Sequence, residues 1–356
     1  MSQGERATAA NKPERFAILD ALRFFLAMWV VVAHAGAFPI MGSTPSPGLA
    51  HWIARATNSI IWGIPAVMAF FVISGFCIHY PLATGRTFKP GRFYLRRYTR
   101  ILIPAIAIVL IYFATEDNIK LFGPQSILFR STLWSLLCEE AYYAAYPLLR
   151  ILKERFGWKP VLASSMVVSV LISAYYHHAR DFFEVGPIGT IIILLPVWLL
   201  GCVLADQMAA GERVNVTRAG IFKWRGAAFA SMWIAETLNF HGGISQVHTL
   251  LLVGCVMFFW LRAELCYARG KTINPWAIKA GAFSYSLYLV HPVLYDFVDA
   301  HYPSLKSTYV VGWLFQVGTA VVLSYVFYVF IEGPAHHLAK NLSRAGSRFA
   351  SFARLG

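Results

Sequence analysis

Charge is what this chain has least of. Only 13% of its 356 residues are Asp, Glu, Lys or Arg, against 58% hydrophobic, which excludes an ordinary soluble domain. Acids are scarcest, 17 against 31 Lys and Arg, leaving a net charge of +14. Cysteine is sparse too. Cys77, Cys138, Cys202, Cys255 and Cys266 show no C-x-x-C spacing and no even framework, so structural disulfides are not implied. No G-x-S-x-G elbow and no H-E-x-x-H is present, which removes the serine-hydrolase and zinc-protease templates and leaves no metal site to name. Gly270-Lys271-Thr272 ends like a P-loop, but Leu265 stands where the first glycine is required. His177-His178 with Asp181 falls in an expected outer loop and reads as plain polarity.

What the chain has in abundance is apolar runs of about 15 to 22 residues, separated by short basic or turn-rich segments. They predict an all-α, polytopic membrane protein with ten spans, near 16–38, 58–80, 98–115, 131–152, 159–177, 187–206, 224–240, 246–262, 281–300 and 309–331. The expected organisation is an N-terminal tail over 1–15, one transmembrane domain over 16–335 and a basic C-terminal tail over 336–356. With the N-terminus inside, 26 of the 31 Lys and Arg fall on inner loops, helix ends and tails, and 5 outside (Arg55, Lys120, Arg130, Arg180, Lys306). This is the positive-inside pattern of a cytoplasmic membrane protein with both termini cytoplasmic. The basic balance therefore points to topology and anionic lipid, not nucleic acid. Ala33-His34-Ala35 superficially resembles a signal-peptidase site, but cleavage there would leave nine spans, so the segment reads as an uncleaved first helix.

Arg23 and His34 stand inside that first helix. Eleven residues at about 100° each bring the two side chains within roughly 20° of one another, about 16.5 Å apart along the axis. Two ionisable groups on one face of a membrane helix must turn it to a polar or protein interior. The spacing suits a long molecule anchored at one end and reacting at the other. A second cationic feature, Arg96-Arg97-Tyr98-Thr99-Arg100, falls on the same side. Arg97 and Arg100 are expected at the start of the third helix, where guanidinium forks and free backbone N–H groups would suit phosphate. Trp134-Ser135 opens the fourth span, and Glu139-Glu140 follow one or two turns in, about 100° apart, so one is expected to face inward as a partner for a histidine. In the ninth span Ser284, Tyr288 and His291 share a stripe at i, i+4 and i+7. His291 and Asp296 also have an H-x4-D spacing, yet on a helix they lie about 140° apart.

In order along the chain, Leu19-Asp20-Ala-Leu-Arg23 through His34, Phe70-Phe71-Val-Ile-Ser74-Gly75-Phe76, the Arg96–Pro104 segment, Trp134-Ser135-Leu136 through Glu139-Glu140, Ser284 through Pro292, and Ile331-Glu332-Gly-Pro334 resemble membrane acyltransferase family 3 over about residues 15–335. Ala21, where relatives commonly have Gly, and the Gly-Pro after Glu332 depart from the pattern. The resemblance implies an acyl-CoA donor, with acetyl-CoA the expected form, used from the cytoplasm, no permanently bound cofactor, and a hydroxyl acceptor on a surface or lipid-linked glycan. It makes His34 and Glu139 the catalytic pair and Arg23, Arg97 and Arg100 the donor-binding cations. Trp134, Ser284, Tyr288 and His291 are then candidate lining residues. Some relatives carry an esterase-like domain after the membrane part; about 25 residues follow the last span here, so a stand-alone form is expected. His34 would act as general base or carry the acyl group itself. A transporter or flippase using the same polar residues is the rival reading, without an inverted repeat to favour it; an acyltransferase with a lipid or small-molecule acceptor is another. The acceptor loops would be 39–57, 178–186 and 301–308, with Trp52 and Tyr302. Nothing in the residues fixes the oligomeric state.

Overall fold

The computed structural model describes residues 16–36, 62–116, 120–121, 126–306 and 309–352, and among them no strand occurs. The expected tail over 1–15 and the loop 39–57 with Trp52 and Arg55 lie outside the described residues. In chain order the helices are α1 (Ala17–His34), α2 (Gly63–Ala83), α3 (Pro90–Thr115), α4 (Ile127–Arg130), α5 (Leu133–Phe156), α6 (Trp158–Tyr175) and α7 (Phe182–Ala209). They continue with α8 (Arg218–Gly242), α9 (Gln246–Ala268), α10 (Pro275–Gly281), α11 (Ser284–His301), α12 (Pro303–Lys306), α13 (Tyr309–Phe327), a π-turn at Tyr328–Glu332, and α14 (Gly333–Phe352).

Each of the ten expected spans falls on a helix. Among the described residues, seven helical stretches are long and apolar enough to cross a membrane: α1, α2, α3, α6, α7, α9 and the Val310–Ser343 stretch. The other three, α5, α8 and α11, are also long, but polar residues dilute their hydropathy. On α5 and α11 these include Ser135, Glu139, Ser284, Ser286 and His291. Gly186, at φ +82°, breaks α7 so that the apolar part starts at Pro187, a backbone conformation that glycine adopts without strain.

Helix α2 is apolar over most of its circumference and buried along most of its length, as expected of a helix enclosed by others. It packs most extensively on α7. The two backbones touch at Gly75 and Gly201: a Cβ on Gly75 would collide with the Trp198 carbonyl, and one on Gly201 with the Val72 carbonyl. Small residues at such a crossing let membrane helices approach closely. Around α2 stand α1, α9 and α7, and α1 in turn packs on α10 and α11. Large apolar side chains such as Leu110, Leu171, Val311 and Phe330 face outward, the surface a bilayer would cover.

Two expectations change. Pro90 sits in the first turn of α3, where its fixed φ and missing N–H suit a helix start. The helix therefore begins about two turns before Arg97, and the backbone N–H groups beside Arg97 and Arg100 belong to the helix ladder instead of being free for an anion. Of the stretch expected as a C-terminal tail, residues 336–352 are helical as part of α14, which lies along α3.

Candidate functional site

Arg23 leaves α1 one turn after Asp20, with Nη1 3.5 Å from Asp20 Oδ1, and its Nη2 donates to Cys77 Sγ of α2 at 3.0 Å. It faces a cavity of about 490 Å³. Arg97 and Arg100, three residues apart on α3, face the same cavity, as do Glu139 of α5 and Ser284 and Tyr288 of α11. Six of the sequence-predicted residues thus meet around one space although they come from four helices. The Arg97 guanidinium also lies 5.2 Å over the Tyr143 ring, a cation–π contact that fixes its direction.

A run of hydrogen bonds ends on Glu139. Trp198 Nε1 donates to Ser74 Oγ at 3.2 Å, Ser74 lies 2.9 Å from Tyr143 Oη, and Tyr143 donates to Glu139 Oε1. Because the indole can only donate and the Tyr143 proton goes to Glu139, the Ser74 proton goes to Tyr143. Glu139, and not Glu140, is the carboxylate facing the cavity.

A second carboxylate, for which the sequence suggests no role, lines the same cavity. Glu332, fully buried in the π-turn, accepts from Ser286 N at 3.1 Å and Ser286 Oγ at 2.5 Å through Oε2. Its Oε1 has no hydrogen-bond partner in the structure. A π-turn re-aims a side chain within an otherwise regular helix and often marks a functional position. The signal available in the sequence was an acid in a strongly apolar segment.

A second cavity of about 1090 Å³ adjoins the first, sharing Cys77, Arg97, Arg100 and His336. Its walls carry Arg86, Lys89, Arg92 and Arg96 from α3 and the turn before it, with His337 and Lys340 from α14. The two spaces form a basic vestibule leading to a narrower chamber that mixes cations, carboxylates and hydroxyls. Such a vestibule suits a multiply anionic head group.

His34 and His291 stand apart from both cavities, and beside each other. His291 Nε2 is 3.2 Å from His34 Nδ1, with ring centroids 5.0 Å apart. His34 Nδ1 lies 2.9 Å from Val30 O, and His291 Nδ1 lies 2.8 Å from Leu287 O. A carbonyl only accepts, so both Nδ1 atoms carry hydrogen. Neutral His291 then accepts at Nε2 from the shared His34 Nδ1–H, and the basic nitrogen of His34 is Nε2. His34 is exposed at the end of α1, whereas His291 is fully buried. The reachable imidazole is His34; His291 holds its ring.

Two predicted relations do not form. Glu139 belongs to the chamber and makes no hydrogen bond to His34; Asp296 of α11 accepts from Tyr112 Oη at 3.3 Å. Trp134 is buried and stacked on Phe182 at 5.8 Å. It anchors α5 against α7 and does not line the cavity. Among the described residues no cluster of His, Cys, Asp and Glu is arranged to hold a metal ion.

A family model described as an acyltransferase domain matches residues 16–329. The chain belongs to acyltransferase family 3. It is also 24% identical over 372 residues to the O-acetyltransferase OatA of Staphylococcus aureus, in strains NCTC 8325, COL and MRSA252 alike. The match covers 89% of this chain and 56% of those relatives, so the chain spans little more than half their length. No solved structure matches. The family match runs from the start of α1 through the π-turn's first residues, and so takes in both histidines and every arginine of the inner chamber.

Proposed function

We propose that the protein is a ten-span O-acyltransferase of the cytoplasmic membrane, both termini inside, moving an acetyl group from acetyl-CoA to a hydroxyl of a surface or lipid-linked glycan. The observation that carries the reading is the arrangement of Arg23, Arg97 and Arg100 around one chamber, with the His34–His291 pair beyond its far end. The donor's phosphates and nucleotide sit in the vestibule against Arg86, Lys89, Arg92 and Arg96. The pantetheine arm enters the chamber past Arg97 and Arg100. Coenzyme A is an anionic head on a long thin arm, and this fits a wide basic space opening into a narrower one.

His34 Nε2 takes the proton of the acceptor hydroxyl as its oxygen attacks the thioester carbonyl. The new C–O bond forms, the C–S bond breaks, and the proton passes from the imidazolium to the departing thiolate, giving free CoA. His291 accepts the His34 Nδ1 hydrogen and so keeps Nε2 as the base. Glu139 is assigned to the chamber wall, shaping donor binding with Tyr143.

Membranes carrying the full chain, given radiolabelled acetyl-CoA and host cell-envelope glycan, are expected to move label into glycan and release CoA. His34→Ala should lower the rate by about 10²–10⁴-fold, the range for loss of a positioned base, with acetyl-CoA binding retained. Transfer by the variant at near wild-type rate would refute the role of His34. Absence of transfer by the wild type would refute the reading as a whole.

A further inference from the structure

The chamber and the histidine pair lie on the same line but are not connected. On α2, Val67 lines the chamber, and Gly63, four residues nearer the helix start, packs against the His34 ring. Four residues of helix are about 6 Å, so the chamber ends roughly one turn short of His34. Among the described residues the face of α1 between Arg23 and His34 offers no passage. Ala27 and Val31 are fully buried, packed with Leu287 and Tyr295 and flanked by Phe70. A donor arm cannot run along that face as the protein stands.

At the chamber's end Phe70 and Tyr288 meet with ring centroids 5.9 Å apart, and Tyr288 lies 6.1 Å from the His291 ring on the other side. The two rings are held differently. Tyr288 Oη is 2.7 Å from Ser135 Oγ, and Thr132 Oγ1 donates to the Tyr288 carbonyl at 3.3 Å, which pins that residue to α5. Phe70 has only packing contacts. One leaf of the constriction is tethered and the other turns at the expense of apolar contacts alone.

We propose that Phe70 and Tyr288 form the acyl-size filter of the enzyme: the thioester end of the donor reaches His34 only by displacing the Phe70 ring from Tyr288, and this selects acetyl over longer acyl groups. The proposal rests on the acyltransferase reading above. In that reading the acyl group leads the donor through the chamber, so its length is what the constriction meets first. Each added methylene enlarges the displacement Phe70 has to make, and a fitted apolar site distinguishes one methylene by about 10–200-fold.

The test uses membranes with the full chain, host cell-envelope glycan as acceptor, and acetyl-, butyryl- and hexanoyl-CoA, with released CoA thiol as readout. The wild type is expected to prefer acetyl. Phe70→Ala should shrink the acetyl-to-hexanoyl ratio of kcat/KM by about tenfold or more, mainly by raising the hexanoyl rate. Phe70→Leu, a smaller change that keeps an apolar side chain, should shrink it less and serves if Phe70→Ala does not fold. An unchanged ratio in a folded, active Phe70 variant overturns the filter while leaving the acyltransferase reading intact. CoA release from no acyl-CoA by the wild type overturns both.

Discussion

The two ends of the Arg23–His34 stripe differ in almost every physical respect. The inner end is wide and crowded with charge: Arg23, Arg97, Arg100, Glu139 and Glu332 around one chamber, opening into a vestibule with four more cationic side chains on α3 and the preceding turn. The other end is tight, and its hydrogen bonds join two imidazoles and two backbone carbonyls. A charged head group is best held where many fixed cations share the load. A proton-transfer group works best where its tautomer is fixed and its basic nitrogen is left free. One helix serves both ends because its α2 and α11 neighbours change from Cys77 and Ser284 at one level to Gly63 and His291 at the other.

If this division is right, variants at the two ends fail in different kinetic constants. The largest effect after loss of His34 is expected from Arg23→Ala combined with Arg100→Ala. Both guanidiniums face the chamber that takes the donor's arm, and each variant removes charge-assisted hydrogen bonds to the arm's carbonyls of about 1.5–3 kcal/mol, so KM for acetyl-CoA should rise about 100-fold or more with kcat changing much less. A fall in kcat with unchanged KM would place the arginines with the chemistry and break the comparison. His291→Ala should do the opposite, lowering kcat about tenfold or more with little change in KM, because the His34 hydrogen bond worth about 1–3 kcal/mol is lost. His291→Gln, whose side-chain oxygen can accept that hydrogen, should restore part of the rate and of the wild-type pH profile. Failure of Gln to outperform Ala would make His291 a packing residue only. The smallest effect is expected from Glu332→Gln, which keeps an acceptor for Ser286 but removes a charge facing the cations. A change of a few-fold in KM, read by donor titration, fits that position; a loss of kcat would move Glu332 into the chemistry.

Much of the membrane architecture is legible in the residues. Apolar runs locate a helix at every expected span, and Arg23, Arg97 and Arg100 stand out because charge within apolar sequence is rare. The start of α3 was misplaced because the basic run masks its helical continuity, and Pro90 marks the true beginning. Glu332 escaped assignment because only the π-turn directs its side chain inward. That His34 meets His291 and not Glu139 is hidden for a similar reason. Helical period gives directions around one axis, and it says nothing about which turn of a neighbouring helix lies opposite.

The sequence by itself determined that the chain is helical and apolar, that Arg23 and His34 share a face, and that its motifs run in family order. Those properties depend on local backbone geometry and on the transfer of side chains out of water, and both are readable residue by residue. Only the tertiary structure decided that Arg23, Arg97 and Arg100 share one chamber, that His34 pairs with His291, and that Phe70 and Tyr288 stand between the chamber and the histidines. Such relations depend on helix crossings, set by contacts such as Gly75 on Trp198 and Gly201 on Val72, between residues more than a hundred positions apart.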